Sequence, residues 1–131
     1  MNPYNTSPVN LCKLIKQSSF TYGTEERKLQ DAIETLLKDK SVDFVREYAF
    51  DSHNRIDFLV GGMIGIEVKI KGAVNAVDSQ LTRYAHFGEV AALILVTTKS
   101  EHKMLPQAID VNQDGVIVPK PLYIVHLLGI M

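Results

Sequence analysis

From Arg55 to Ile70 the chain reads RIDFLVGGMIGIEVKI, and this stretch decides how the rest is read. Ile64, Ile66, Val68 and Ile70 alternate with Gly65, Glu67, Lys69 and Lys71, a period of two that predicts a strand. Arg55–Val60 alternates in part, and Gly61-Gly62 between the two runs marks a turn, so an antiparallel hairpin is expected. Glu67 and Lys69 then project from one face of their strand, with Ile66, Val68 and Ile70 on the other. If Gly61, Gly62 and Met63 form a three-residue loop, Asp57 falls directly opposite Glu67, with Cβ atoms about 4.5–5.5 Å apart. A two-residue loop would set Asp57 beside Ile66 instead. Two carboxylates that close repel one another unless a cation lies between them. Hard oxygen ligands suit Mg²⁺ or Mn²⁺, and Lys69 is placed to orient or deprotonate a water or to hold a phosphate oxygen. Taken alone, the Glu-x-Lys triplet is better accounted for by the solvated side of an edge strand, with Asp57 as a cross-strand ion-pair partner.

Reading outward, Leu29, Ala32, Ile33, Leu36 and Leu37 recur at helical spacing behind Thr24 and the acidic Glu25 and Glu26, which predicts a helix over Glu25–Lys38. Val42–Phe50, β-branched and aromatic, is the strand between that helix and the hairpin. Downstream, Val77, Leu81, Tyr84, Ala85 and Phe87 predict a second helix over Asn75–Phe87, ended by Gly88. The apolar run Ala91–Thr98 predicts a strand covered on both faces. Beyond it, Glu101–Asp114 is expected to hold a short helix before a turn at Asp114-Gly115, and Val116–Val118 and Leu122–His126 are short strand candidates. Residues 1–23, polar around the single apolar patch Leu11–Ile15, are expected to be a partly ordered arm with one short helix. Residues 24–131 then form one domain. Helix, three strands, helix, strand is the order of an α/β fold with a mixed β-sheet flanked by helices.

Bulk properties narrow the function. A chain of 131 residues, 46% of them hydrophobic, can bury a core as one domain. The single cysteine, Cys12, excludes an internal disulfide and any Cys-rich zinc or iron–sulfur site, which fits a reducing cytoplasm. Apolar runs are far shorter than the ~20 residues that span a bilayer, and no signal segment is read, so a soluble, unexported protein with no membrane partner is expected. The net charge of −1 gives no global basic field, and contact with nucleic acid would have to rest on a local cluster of Lys and Arg. His53, His102 and His126 are scattered without zinc-site spacing, and no ATP-binding glycine-rich loop is present.

Gln80 and Tyr84 lie one turn apart on a single face of the second helix. Asp57, nine intervening residues, Glu67-Val68-Lys69 and then Gln80-Leu81-Thr82-Arg83-Tyr84 together resemble the PD-(D/E)xK nuclease superfamily. Glu26, opening Glu26-Arg27-Lys28-Leu29-Gln30, is similar to the Glu-x-x-Ile/Leu-Gln start of the virus-type replication-repair nucleases, with Glu25 as the alternative if the register differs. The Gln-x-x-x-Tyr feature resembles instead an exonuclease-like branch. The likeness runs from about Glu25 to Thr98; Ile56 stands where the family often has proline, and the cysteine cluster of its iron–sulfur branch is absent.

The resemblance implies a restriction-endonuclease-like core and an Mg²⁺- or Mn²⁺-dependent nuclease. By it, Asp57, Glu67 and the Val68 carbonyl would ligate the metal, and Glu26 would reach it directly or through water. Lys69 would act on the attacking water, Gln80 would position Lys69 or substrate, and Tyr84 would touch the backbone or pack under the site. Apart from the resemblance, Arg55, Lys71, Arg83 and His86 are read either as a local basic rim for substrate or as ordinary solvated surface. DNA in structured or branched intermediates of repair, replication or recombination is the expected partner. An RNA-directed, toxin-like endonuclease and a non-catalytic nucleic-acid-binding module of the same fold are the alternatives. Symmetric cutting of two strands would require a two-fold homodimer.

Overall fold

A computed structural model describes residues 7–18, 20 and 24–128. Helix α1 (Pro8–Gln17) and helix α2 (Glu26–Asp39) precede strands β1 (Phe44–Ala49), β2 (Arg55–Val60) and β3 (Ile64–Lys69). Helix α3 (Val74–Ala85) leads to strand β4 (Ala92–Thr97), a 3₁₀ turn over Ser100–Met104, and strands β5 (Ala108–Gln113) and β6 (Val116–His126). The hairpin takes the three-residue loop. Gly61 and Gly62 supply the left-handed turn at φ 59° and 71°, and Val60 pairs with Ile64, Leu59 with Gly65 and Phe58 with Ile66.

The strands form one mixed six-stranded sheet in the order β1-β2-β3-β4-β6-β5. β3, β4 and β6 run parallel, and the other neighbours pair antiparallel. Helix α3 makes the crossover between the parallel β3 and β4. Helices cover both faces, which is why β4 is buried along its whole length. On one face, Leu11 and Ile15 of α1 and Leu29, Ile33 and Leu37 of α2 share a core with Phe58, Ile66, Val68, Ile94 and Val96. On the other, Val77, Leu81, Tyr84 and Ala85 of α3 share a core with Ile56, Leu93, Leu95 and Leu122. Among the described residues no helix is long and apolar enough to cross a membrane.

The short helix expected around Leu11–Ile15 is α1: Ser7 caps it by accepting the Asn10 N–H at 3.2 Å, and Leu11 and Ile15 are fully buried. Two other expectations change. The helix expected within Glu101–Asp114 shrinks to the 3₁₀ turn, and strand β5 follows it. The two short strand candidates after it are one continuous strand, β6, through Pro119 and Pro121. Both prolines are tolerated by parity. Leu122 N–H donates to Gln107 O at 2.9 Å, so even-numbered residues turn their N–H toward β5, and the two prolines turn their missing donors away from it. From Leu122 onward β6 gains β4 as a second, parallel neighbour.

Gly65 on β3 has a steric reason. A Cβ there would come within 2.6 Å of Ile56 Cδ1 and 2.8 Å of Leu93 Cδ2, so two core side chains would have to shift. Gly65→Ala is expected to lower stability by about 1–3 kcal/mol in urea unfolding, the usual range for overpacking. Wild-type stability would mean that Ile56 does not lie over β3 as described.

Candidate functional site

Residues two apart on a regular strand share a face, yet Ile56 belongs to the α3 core and Phe58 to the opposite one. Strand β1 makes the same switch between Phe44 and Tyr48. Between them Glu47 adopts φ 53°, an uncommon conformation for a side-chain-bearing residue, and the β1–β2 register continues on either side of it as Arg46↔Phe58 and Tyr48↔Ile56. Both strands therefore turn over at the level of Asp57. Its carboxylate lies neither above nor below the sheet but toward β3.

There the β2–β3 ladder ends, its last pair being Phe58↔Ile66. One residue further, Asp57 N–H donates to Glu67 Oε1 at 3.1 Å, and Val68 N–H donates to Asp57 Oδ2 at 2.8 Å. Each carboxylate takes the place of a backbone carbonyl, so the strands stay linked while their main chains part. Asp57 and Glu67 thus stand across from one another, as the three-residue loop requires. Glu67 is only 3% exposed. Lys69 Nζ lies 3.5 Å from Glu67 Oε2.

Electrostatics follow from that burial. Desolvation, reinforced by the charge of Asp57, pushes Glu67 up to about 8 against the pull of Lys69. Burial also raises Asp57, opposed by the Val68 N–H and aided by the charge of Glu26. Near neutral pH, with no cation between them, the two carboxyls keep a proton.

The sign of the resulting pH dependence is fixed. Glu67 gives up its proton less readily folded than unfolded, where its ordinary value is 4.5. The folded state therefore binds more protons, and this contribution to stability is full below about pH 4.5 and lost as pH rises through about 8. Glu67→Gln is accordingly expected to be more stable than wild type by a margin that widens between these values. Urea unfolding of both proteins across pH 5–9 measures it, and a margin independent of pH would show that Glu67 does not titrate in the pair.

Glu26 opens α2, and its Oε1 accepts the Ile70 N–H at 3.2 Å, joining the helix to the end of β3. Glu25 turns outward into an exposed pair with Lys28 at 3.6 Å. Of the two acids, Glu26 is the one beside the carboxylate pair. Among the described residues no three His, Cys, Asp or Glu side chains converge as a ready-made metal-holding group.

Gln80 does not meet Lys69. Its Nε2 donates to Tyr84 Oη at 2.8 Å, and that hydroxyl donates to Arg55 O at 2.6 Å, so the pair braces the start of β2. Tyr84 is buried, and burial together with the charge of Glu67 raises its hydroxyl pKa. The expected basic rim is divided among local partners. Arg55 faces Glu47 at 3.4 Å, Arg83 Nε donates to Asn54 Oδ1 at 3.3 Å, His86 lies against Thr82 O, and Lys71 is exposed beyond the end of β3.

Sequence reasoning set His102 aside as one of three scattered histidines and passed over Thr97, yet both are fully buried. Thr97 sits beside Lys69 in the parallel β3–β4 register, and its hydroxyl lies 2.6 Å from His102 Nδ1. Neither residue belongs to a periodic pattern, so the sequence gives no signal for the contact.

Comparison of the chain with models of known protein families, with curated proteins and with solved structures finds no match.

Proposed function

We propose that this protein is a divalent-metal-dependent nuclease with a restriction-endonuclease-like core, built from α2, β1–β3, α3 and β4, that hydrolyses phosphodiester bonds of structured or branched DNA. The observation that carries this reading is the meeting of the Asp57 and Glu67 carboxylates in the gap where β2 and β3 part, with Lys69 3.5 Å from Glu67. The donor chemistry fits a hard cation: two largely buried carboxyls, both pushed up chiefly by desolvation, meet without a full counter-charge. Asp57, Glu67 and the Val68 carbonyl would hold it, with Glu26 contributing through water because its own oxygen is engaged by Ile70. When bound, such a cation neutralises charge on a phosphate and makes water a better nucleophile.

The chain's own groups supply the rest. Lys69, one-fifth exposed, presents its ammonium to a phosphate oxygen or to the attacking water. Tyr84 and Gln80 fix the start of β2, and with it the backbone that carries Asp57. Arg55, Lys71 and Arg83 are exposed and bind backbone phosphates by exchanging weak surface partners for stronger charge-assisted ones.

Digestion of branched, single-stranded and duplex DNA and RNA, with Mg²⁺, Mn²⁺ or EDTA, tests the reading. Metal-dependent cutting of branched DNA is the expected result, and preference for RNA would move the substrate class. A second reading has its own observation: Asp57 and Glu67 each accept a backbone N–H, and Lys69 pairs with Glu67, so the cluster satisfies itself without a ligand. A protein of that kind would bind nucleic acid without cutting it, or would not bind it at all.

A further inference from the structure

One buried polar network lies outside the proposed chemistry. An imidazole fully removed from water is costly unless both nitrogens are satisfied, and those of His102 are. Nε2 lies 2.8 Å from Gly72 O, which only accepts, so Nε2 carries the proton. Nδ1 then accepts from the Thr97 hydroxyl at 2.6 Å, and that hydroxyl accepts the Lys99 N–H at 3.0 Å.

The network ties the end of β4 and the 3₁₀ turn to the loop that follows β3. Gly72 has φ 114°, open to glycine alone, and its carbonyl meets the imidazole there. The same loop begins with Ile70, whose N–H holds Glu26, directly after Lys69. Thr98 holds it from the side, its N–H donating to Lys69 O at 3.2 Å. An apolar side chain could fill the space of His102, but it could not grip the Gly72 carbonyl.

We infer that His102 is a positioning residue for the proposed reaction: through Gly72 O it fixes the 70–73 loop, and so sets Lys69 and the Glu26–Ile70 contact against the carboxylate pair. The inference rests on the nuclease reading of that site. Two amides divide the contacts of the imidazole. Asn carries its polar atoms at the δ position and reaches Thr97 alone, whereas Gln carries them at the ε position and reaches Gly72. His102→Asn is therefore expected to lower kcat by about tenfold to a hundredfold, with KM and Mn²⁺ affinity little changed, the signature of a misplaced reacting group. His102→Gln is expected to stay near wild type although it melts lower. Both are assayed well below their melting midpoints.

A role in stability alone would lower both midpoints and leave both rates intact, and that result, or equal rate losses in the two variants, would overturn the inference. If the Asn variant does not fold, Thr97→Val takes its place. It removes the hydroxyl that holds the proton on Nε2 and is expected to slow cleavage in the same way; a wild-type rate would count against the clamp. Amide hydrogen exchange at Ile70 separates this inference from the nuclease reading. Should wild-type protein cut nothing, the proposed function has failed, but the clamp still requires faster exchange in the Asn variant than in the Gln variant. Equal protection in the two would overturn it.

Discussion

Lys69→Met is expected to slow phosphodiester cleavage by about 10²–10³-fold, equivalent to about 3–4 kcal/mol of barrier, while leaving metal affinity unchanged or slightly higher. Methionine keeps most of the length and apolar packing of the lysine stem and removes only the ammonium. That ammonium sits 3.5 Å from Glu67, where it competes with any cation drawn to the same carboxylate, so its loss does not weaken metal binding. The group is missed only when negative charge develops on the phosphate or the attacking water. Single-turnover cleavage beside calorimetric Mn²⁺ titration separates these effects. If Lys69 serves only as the partner of Glu67, the substitution changes stability by about 0–1 kcal/mol, reduced further by its partial exposure to solvent. Undiminished cleavage by purified Lys69→Met protein would end the proposed mechanism.

Asp57→Asn is expected to abolish both cleavage and stabilisation by metal. In wild type, a cation at a hundred times its Kd adds about 2.7 kcal/mol to the folded state. The variant should show almost none of this, because one of two charged ligands is gone. The asparagine carbonyl can still accept the Val68 N–H, so the link between the strands is kept. Without metal the variant should be no less stable than wild type, since it relieves the repulsion that adds to desolvation in raising Glu67. Melting curves with and without Mn²⁺ read both effects together. An identical metal-induced shift in the two proteins would place any cation elsewhere on the molecule.

The hairpin was legible to within one residue of register, because two glycines and a strict alternation leave few loop lengths, and the three-residue loop is the one that carries Asp57 to Glu67. Helices α2 and α3 were legible from spacing. The in-plane turn of Asp57 was not, because it depends on a left-handed Glu47 on a neighbouring strand, and a local pattern carries no trace of that. Pro119 and Pro121 hid the continuity of β6, since a proline counts against a strand until the side facing its neighbour is known. The reach of Gln80 to Tyr84 was open to spacing, one turn apart on a helix, but the further bond to Arg55 joins residues 29 apart in sequence. His102 was illegible for a similar reason: its grip on Gly72 spans 30 residues and leaves no periodic mark.

The two prolines of β6 also bear on how the molecule behaves in concentrated solution. A strand stripped of a neighbour offers a row of free amide donors on which another chain can crystallise a new strand, the first step toward a growing fibre. Along 116–121 the side of β6 turned from β5 has Pro119 and Pro121 where two of those donors would be, so two carbonyls of an incoming strand would find no N–H to accept from. At the far margin of the sheet, the left-handed Glu47 breaks the straight run of β1 and sets a charge in its middle. The exposed Val116 and Ile117 at the hairpin tip thus lie beside a stretch of β6 that is poor in donors, while the outer side of β5 forms the margin of the sheet there.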